Sequence, residues 1–279
     1  MIKYLELYKD YLLVTKGSSI NSVKAYVRDI KQYFDITRGK SIDDYFEYLV
    51  KNNYTASSQN RKISALNGYY TFLMKFNYCN SNPFYNIEFA KKAKKIPEYL
   101  TYNEVLRIME VEENNLLNRA IIEVLYGCGL RVSELCSLKI SDIHFEEKLI
   151  ECFGKGSKKR YVPINDAALL AINEYILKFR NKLDKKEDDN VLFLNEKGKK
   201  IYREYVNAML TKAGKRANIN KRIYPHLFRH TFSTHLLENG ANLRSIQTML
   251  GHENLSTTEI YTHIDKKKII DDYNKYFKE

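Results

Sequence analysis

PHLFRHTFSTHLLENGANLRSIQTMLGHENLSTTEIYTH, residues 225–263, is the stretch from which the fold can be worked out in both directions. Pro225 suits the first turn of a helix, where a missing N–H is no loss. His226 and Arg229 stand at i and i+3, so one face of that helix presents both. Gly240 and Gly251 punctuate the run as helix ends do. Ser256 and Glu259 have the spacing of a capping box, which starts a short helix and places Tyr261 in its second turn. Further on, Ile269, Ile270, Tyr273 and Phe277 recur at spacings of three and four beside Lys266, Lys267, Asp271 and Lys275, which predicts a C-terminal helix over 265–279. So short a helix is marginal alone and needs a groove in which to dock.

Upstream the period changes. KLIECF and RYVPI flank GKGSKK over residues 148–164, the pattern of a small antiparallel β-hairpin with a basic tip. Helices are expected again near Ala167, over Leu116 to Tyr126, and after the capping box formed by Thr101 and Glu104. The run KKAKKIP, residues 91–97, has no apolar period and ends in proline, so it reads as a linker. Before it, Ile20, Val23, Val27, Ile30 and Phe34 form one helix face, with Lys24, Arg28 and Lys31 on a second stripe. A further helix begins after Ser57 and Ser58, with Ile63, Leu66, Tyr70 and Leu73 inward and Arg61 and Lys62 on the surface. The expected architecture is mainly α: an N-terminal helical bundle over 1–90, the linker 91–97, and a larger, mostly α domain over 98–279 holding the hairpin.

The chain carries 46 Lys plus Arg against 34 Asp plus Glu, a net charge of +12, which points to a polyanionic partner. The excess is uneven: residues 1–95 hold 16 basic and 8 acidic side chains, so the smaller part is the denser cation. Lys24, Arg28, Lys31, Arg61 and Lys62 are the candidates there for contacts to a phosphate backbone. No stretch approaches the ~18 apolar residues of a membrane span, and the first residues lack the apolar core of a signal peptide. A cytoplasmic protein is expected. Cys79, Cys128, Cys136 and Cys152 have no metal-ligand spacing, and no Asp/Glu cluster or phosphate-binding glycine loop is present, so neither metal nor nucleotide cofactor is expected.

Four segments remain: GLRVSEL (129–135), GKGSKKR (154–160), HLFRH (226–230) and LGHENLSTTEIYTHI (250–264). In this order they resemble the signature of the tyrosine recombinases, and residues 225–263 are most similar to the Xer type of that family. SVKAYVRDI and NRKISALNGYYTFL in the N-terminal part resemble the family's SAM-like core-binding domain. The resemblance implies catalytic positions at Arg131, Lys155, His226, Arg229, His252 and Tyr261. Tyr261 is then the nucleophile toward a DNA phosphate, Arg131 and Arg229 a clamp on its oxygens, and His226 the partner in proton transfer. His252 donates a hydrogen bond to the phosphate, and Lys155 protonates the departing 5′ oxygen. Glu134, three residues after Arg131, is placed to orient it.

These types suit the chemistry. Attack on a phosphodiester builds charge on its non-bridging oxygens, which fixed guanidiniums stabilise. A phenol with pKa near 10 is about one part in a thousand ionised at neutral pH and needs nearby cations and a base. The resemblance further implies double-stranded DNA with paired inverted half-sites, a homotetramer or a heterotetramer with a related recombinase, and activation by a DNA translocase. The helix over 265–279 would dock into a neighbouring subunit; docking in its own domain is the alternative. The expected role is resolution of chromosome or plasmid dimers, the alternatives being a compact integrase of a mobile element, a topoisomerase IB-like enzyme, or a DNA-binding protein without catalysis. Tyr224 and Cys128 stand where small residues are more usual in such sequences.

Overall fold

The computed structural model describes residues 2–38, 41–91, 97–153, 159–183, 190–251 and 263–277. The chain divides into two compact units, Met1–Ile96 and Pro97–Glu279. Among its described residues the regular structure of the first is all helical. Helix α1 (Leu5–Asp10) runs on into one π-helical turn, Tyr11–Thr15. Three helices follow: α2 (Ile20–Thr37), α3 (Ile42–Lys51) and α4 (Ala56–Lys75). Each starts on a hydroxyl cap, from Ser19, Ser41 and Thr55 respectively, whose oxygen accepts a first-turn N–H. Thr55 caps in preference to Ser57 or Ser58, so α4 starts three residues earlier than expected.

The core of this unit is built from aromatic rings. Tyr8, Tyr33, Tyr45, Tyr69, Tyr70, Phe72 and Phe84 are buried among Val23, Ile30, Leu49, Leu66 and Leu73. Ring pairs such as Tyr33–Tyr45 and Tyr8–Tyr69 meet edge to face at 5.1 Å. Burial pushes the phenols of Tyr8, Tyr45, Tyr69 and Tyr70 well up, so these rings serve packing and stay neutral. Within this core lies one ionic cluster. Asp29 is wholly buried and takes hydrogen bonds from Arg61 and from the ammonium of Lys62.

The second unit begins with α5 (Tyr102–Val111), opened by the expected box: Glu104 N–H donates to Thr101 Oγ1, and Glu104 Oε2 accepts from Thr101 N–H at 2.8 Å. Then come α6 (Leu116–Cys128), α7 (Val132–Ser137) and a three-stranded antiparallel sheet. Its strands are β1 (Ile143–His144), β2 (Leu149–Phe153) and β3 (Lys159–Pro163), in that order. The hairpin is as the sequence implied; two-residue β1 adds an edge too short to give a periodic signal. Among the described residues five α-helices follow: α8 (Asp166–Lys178), α9 (Arg203–Arg216), α10 (Pro225–Glu238), α11 (Leu243–Leu250) and α12 (His263–Tyr276). Strand β3 has α11 and α12 as neighbours. Inward-facing Ile150 and Cys152 pair with Val162 and Arg160 across the hairpin, which brings one arginine into the core side of the sheet.

The described part of the C-terminal segment is helical. Ile269, Tyr273 and Phe277 are buried in the core of their own unit, while Ile270 is only half-buried. Tyr273 Oη donates to the Gly127 carbonyl at 2.8 Å, and Asn239 Nδ2 donates to the Tyr276 carbonyl at 2.8 Å. In the single chain the apolar stripe is therefore covered in cis, the alternative to the expected neighbouring subunit.

Candidate active site

The site grows from the C-terminal end of α6. Gly129 ends that helix with φ of 58°, a left-handed conformation that suits glycine, and a Cβ there would stand 2.5 Å from Phe232 Cδ1. The turn aims two groups. Its carbonyl accepts from Arg229 Nη1 at 2.8 Å, and two residues later Arg131 becomes the N-cap of α7. Glu134, at the third position of that short helix, takes the Arg131 backbone N–H at 2.8 Å and Arg131 Nη1 at 2.9 Å. Glu134 thus hydrogen-bonds Arg131 through both its backbone and its guanidinium.

The structure adds a residue that the sequence reading did not single out. Arg160 meets Glu134 end-on in a bidentate pair, Nη1 to Oε1 and Nη2 to Oε2, each 2.8 Å. Both side chains are buried, 4% exposed for Arg160 and 7% for Glu134. A signal was present: in RYVPI, Arg160 shares inward parity with Val162, and a buried guanidinium must have a partner.

Three arginines then close on one helix end. The last carbonyls around α11 accept in succession: Met249 from Arg160 Nε at 3.0 Å, Leu250 from Arg229 Nη2 at 2.5 Å, and Gly251 from Arg131 Nη2 at 3.0 Å. These are carbonyls that a helix leaves unpaired at its negative end, and cations are favoured there. Gly251 has φ of 64°, and a Cβ on it would lie 2.9 Å from Arg160 Cδ. The LG step therefore needs glycine twice, for conformation and for the passage of Arg160.

Electrostatics follow from this packing. Burial would raise the Glu134 carboxyl, but the hydrogen bonds and charge of Arg160, joined by Arg131, outweigh it and hold Glu134 below the usual carboxylate range. Arg229 is pushed down to about 10, first by burial and then by repulsion from Arg131, with Glu134 only partly offsetting them. Three guanidiniums face one carboxylate, and Arg131 remains 40% exposed. Among the described residues, the cluster is short of negative charge on its solvent side. An anion placed there would relieve the repulsion felt by Arg229.

Of the other expected residues, His226 is exposed on the first turn of α10, one turn before buried Arg229. Lys155, His252 and Tyr261 lie outside the described residues, as does the box at Ser256 and Glu259. In sequence, Lys155 belongs to the connection between β2 and β3, His252 follows Gly251 directly, and Tyr261 precedes α12 by two residues. Burial raises the thiols of Cys128, Cys136 and Cys152, Cys136 to about 11, which makes them poor nucleophiles. Cys128 packs wholly inside the core, so its size is a matter of packing beside the site.

In the first unit, Lys24, Arg28 and Lys31 are exposed along α2, where with Lys9 they rim a groove of about 580 Å³. The surface position expected for Lys62 is not found. It is 4% exposed, with its ammonium bonded to Asp29 and Gln32, because the buried Asp29 carboxylate requires a cation. Arg61 also pairs with Asp29 but keeps its side chain 35% exposed. Two of the five basic candidates are thus held by an internal carboxylate, and three face solvent, with Glu6 and Asp35 lining the same groove.

This chain belongs to the phage integrase family: the family model matches residues 98–268, and that of the phage integrase N-terminal SAM-like domain matches residues 5–77. It is 37% identical to the tyrosine recombinase XerD of Staphylococcus haemolyticus over 98% of this chain and 97% of that one. Among solved structures, it is similar to the XerA recombinase, with 27% identity, 99% of both chains covered and a TM-score of 0.54. A post-cleavage complex of the XerH site-specific recombinase with palindromic difH substrate shares the fold at 22% identity, with a TM-score of 0.69, 97% of this chain and 83% of that one covered.

The Gly129 turn supports a direct test. Gly129→Ala combines left-handed strain with overlap against Phe232, and should destabilise the protein by about 3 kcal/mol in urea unfolding. Unchanged stability would mean that this turn does not constrain the arginine cluster.

Proposed function

We propose that the chain is a site-specific tyrosine recombinase that cuts and rejoins double-stranded DNA. The observation that carries this is the arginine cluster at the end of α11: three guanidiniums around one carboxylate, with an exposed donor group, at a turn that in sequence directly precedes the segment containing Tyr261. Family membership and the XerD relatives support the same reading.

Tyr261 Oη attacks the scissile phosphorus, forming a 3′-phosphotyrosine bond and breaking the bond to the 5′ oxygen. The phenolic proton passes to His226, and Lys155 protonates the departing 5′ oxygen. Arg131 and Arg229 stabilise the charge on the non-bridging oxygens. Arg131 uses two of its five N–H donors on Glu134 and Gly251, which leaves donors for a phosphate. His252, next to Gly251, adds a hydrogen bond. Attack by a 5′ hydroxyl of the partner strand then releases Tyr261 and reseals the DNA through a Holliday junction. One ester replaces another at each step, so the chemistry draws on neither metal nor nucleotide.

The first unit supplies the clamp on the DNA backbone, through Lys24, Arg28, Lys31 and the exposed part of Arg61. The protein acts in the cytoplasm on paired inverted half-sites, as four subunits of this chain or of this chain and a related recombinase, with a DNA translocase as activator. Resolution of chromosome or plasmid dimers is the role this favours. The cis-docked α12 is then the element that exchanges between subunits on assembly, giving up its own groove for a neighbour's in a closed ring.

The cognate site can be selected from a random DNA library and placed in a supercoiled plasmid. Recombinant circles that depend on the site are expected; relaxation of plasmids without the site would indicate a topoisomerase instead. Arg131→Ala and Arg229→Ala should each lower cleavage by more than about 2 kcal/mol of transition-state stabilisation while half-site binding is kept. Near-normal cleavage would remove that residue from the clamp. A chain ending at Asp265 should bind one half-site and fail to pair sites; full pairing and exchange by that truncated chain, read by gel shift and product analysis, would overturn exchange of α12.

A further inference from the structure

Arg131 reaches its working position through two contacts, Nη1 on Glu134 Oε1 and Nη2 on the Gly251 carbonyl. One side chain braces both. Arg160 holds both oxygens of Glu134, so the carboxylate cannot swing without breaking a buried bidentate pair. Its Nε also holds the Met249 carbonyl two residues before Gly251, and its side-chain stem fills the space under Gly251 where a Cβ would clash at 2.9 Å. Arg160 is 4% exposed and its guanidinium is committed to these partners, so it reaches a phosphate only through other groups.

We infer that Arg160 is a positioning residue for strand transfer, fixing the Arg131 guanidinium from both sides through Glu134 and the Met249–Gly251 turn. The inference rests on the recombinase reading above. Lysine cannot take the role, because one ammonium cannot meet both carboxylate oxygens in plane and bond the Met249 carbonyl as well. Displacing a clamp by about an ångström is enough to lower a rate by ~10²-fold. Arg160 is also the second residue of the strand that follows the connection bearing Lys155, so the leaving-group side must be distinguished from the clamp side.

The test uses the full chain and two nicked suicide substrates carrying the selected site, one with an ordinary scissile phosphate and one with a methylphosphonate there. The methylphosphonate is uncharged, so it has less need of a cationic clamp. On the ordinary substrate, Arg160→Ala should form the covalent adduct ~10²-fold more slowly and Arg160→Lys at least about tenfold more slowly, with half-site affinity kept. On the methylphosphonate, the deficit of both variants relative to wild type should shrink by about tenfold or more, as it should for Arg131→Ala. If Arg160→Ala does not fold, as judged by loss of half-site binding, Arg160→Lys carries the test. Equal deficits on the two substrates, or adduct formation at the wild-type rate, would overturn the inference. Absence of an adduct from the wild-type chain would overturn the recombinase reading itself, a separate outcome.

Discussion

The carbonyls of Met249, Leu250 and Gly251 each accept from a different arginine, and the rest of the catalytic unit is arranged around that fact. Three cations at one helix end repel one another, so the arrangement persists only with Glu134 among them and the negative end of α11 against them. The requirements propagate outward. Gly251 must lack a side chain because Arg160 passes beneath it, and Gly129 must lack one because Phe232 lies against it while its carbonyl holds Arg229. Strand β3 must face Arg160 inward, which sets the register of the hairpin. The described residues of four remote segments thereby become one object whose solvent side is, among those residues, deficient in negative charge.

The first unit solves a similar problem in the opposite sense. There a single buried carboxylate, Asp29, collects Arg61 and Lys62 from another helix and ties α2 to α4. Such a pair, once buried, is strongly destabilising to break from one side. This explains why cations that look alike along the chain differ in what they can do: Lys24, Arg28 and Lys31 have no internal carboxylate to answer, whereas Lys62 does. In both units, then, the count of positive charge means little until buried acids are subtracted from it.

Much of this was legible in the sequence. Helix faces, the Thr101 box, the hairpin and the C-terminal apolar stripe all follow from local period and cap chemistry, which act over a few residues. Arg131, Glu134, His226 and Arg229 were marked by their motifs, and the structure brings Arg131, Glu134 and Arg229 into one cluster while His226 stands exposed on the first turn of α10. What local rules could not reveal was non-local partnering. Arg160 ends a basic run in the sequence, yet its strand parity assigns it to the core with a carboxylate 26 residues away. Lys62 was read as surface because helical spacing locates a face only approximately, and Asp29 overrides it. The docking of α12 in cis depends on Gly127 and Asn239, whose groove no sequence period announces.

Tyr261 is the residue proposed to take the DNA phosphate. The most direct measurement traps the wild-type chain on a nicked copy of its selected site, digests the denatured adduct with protease and nuclease, and maps the modified peptide by mass spectrometry. The expected result is a nucleotide phosphate on Tyr261 alone, linked through the 3′ side of the cut. A phosphate on any other residue, or a 5′ linkage, would contradict it.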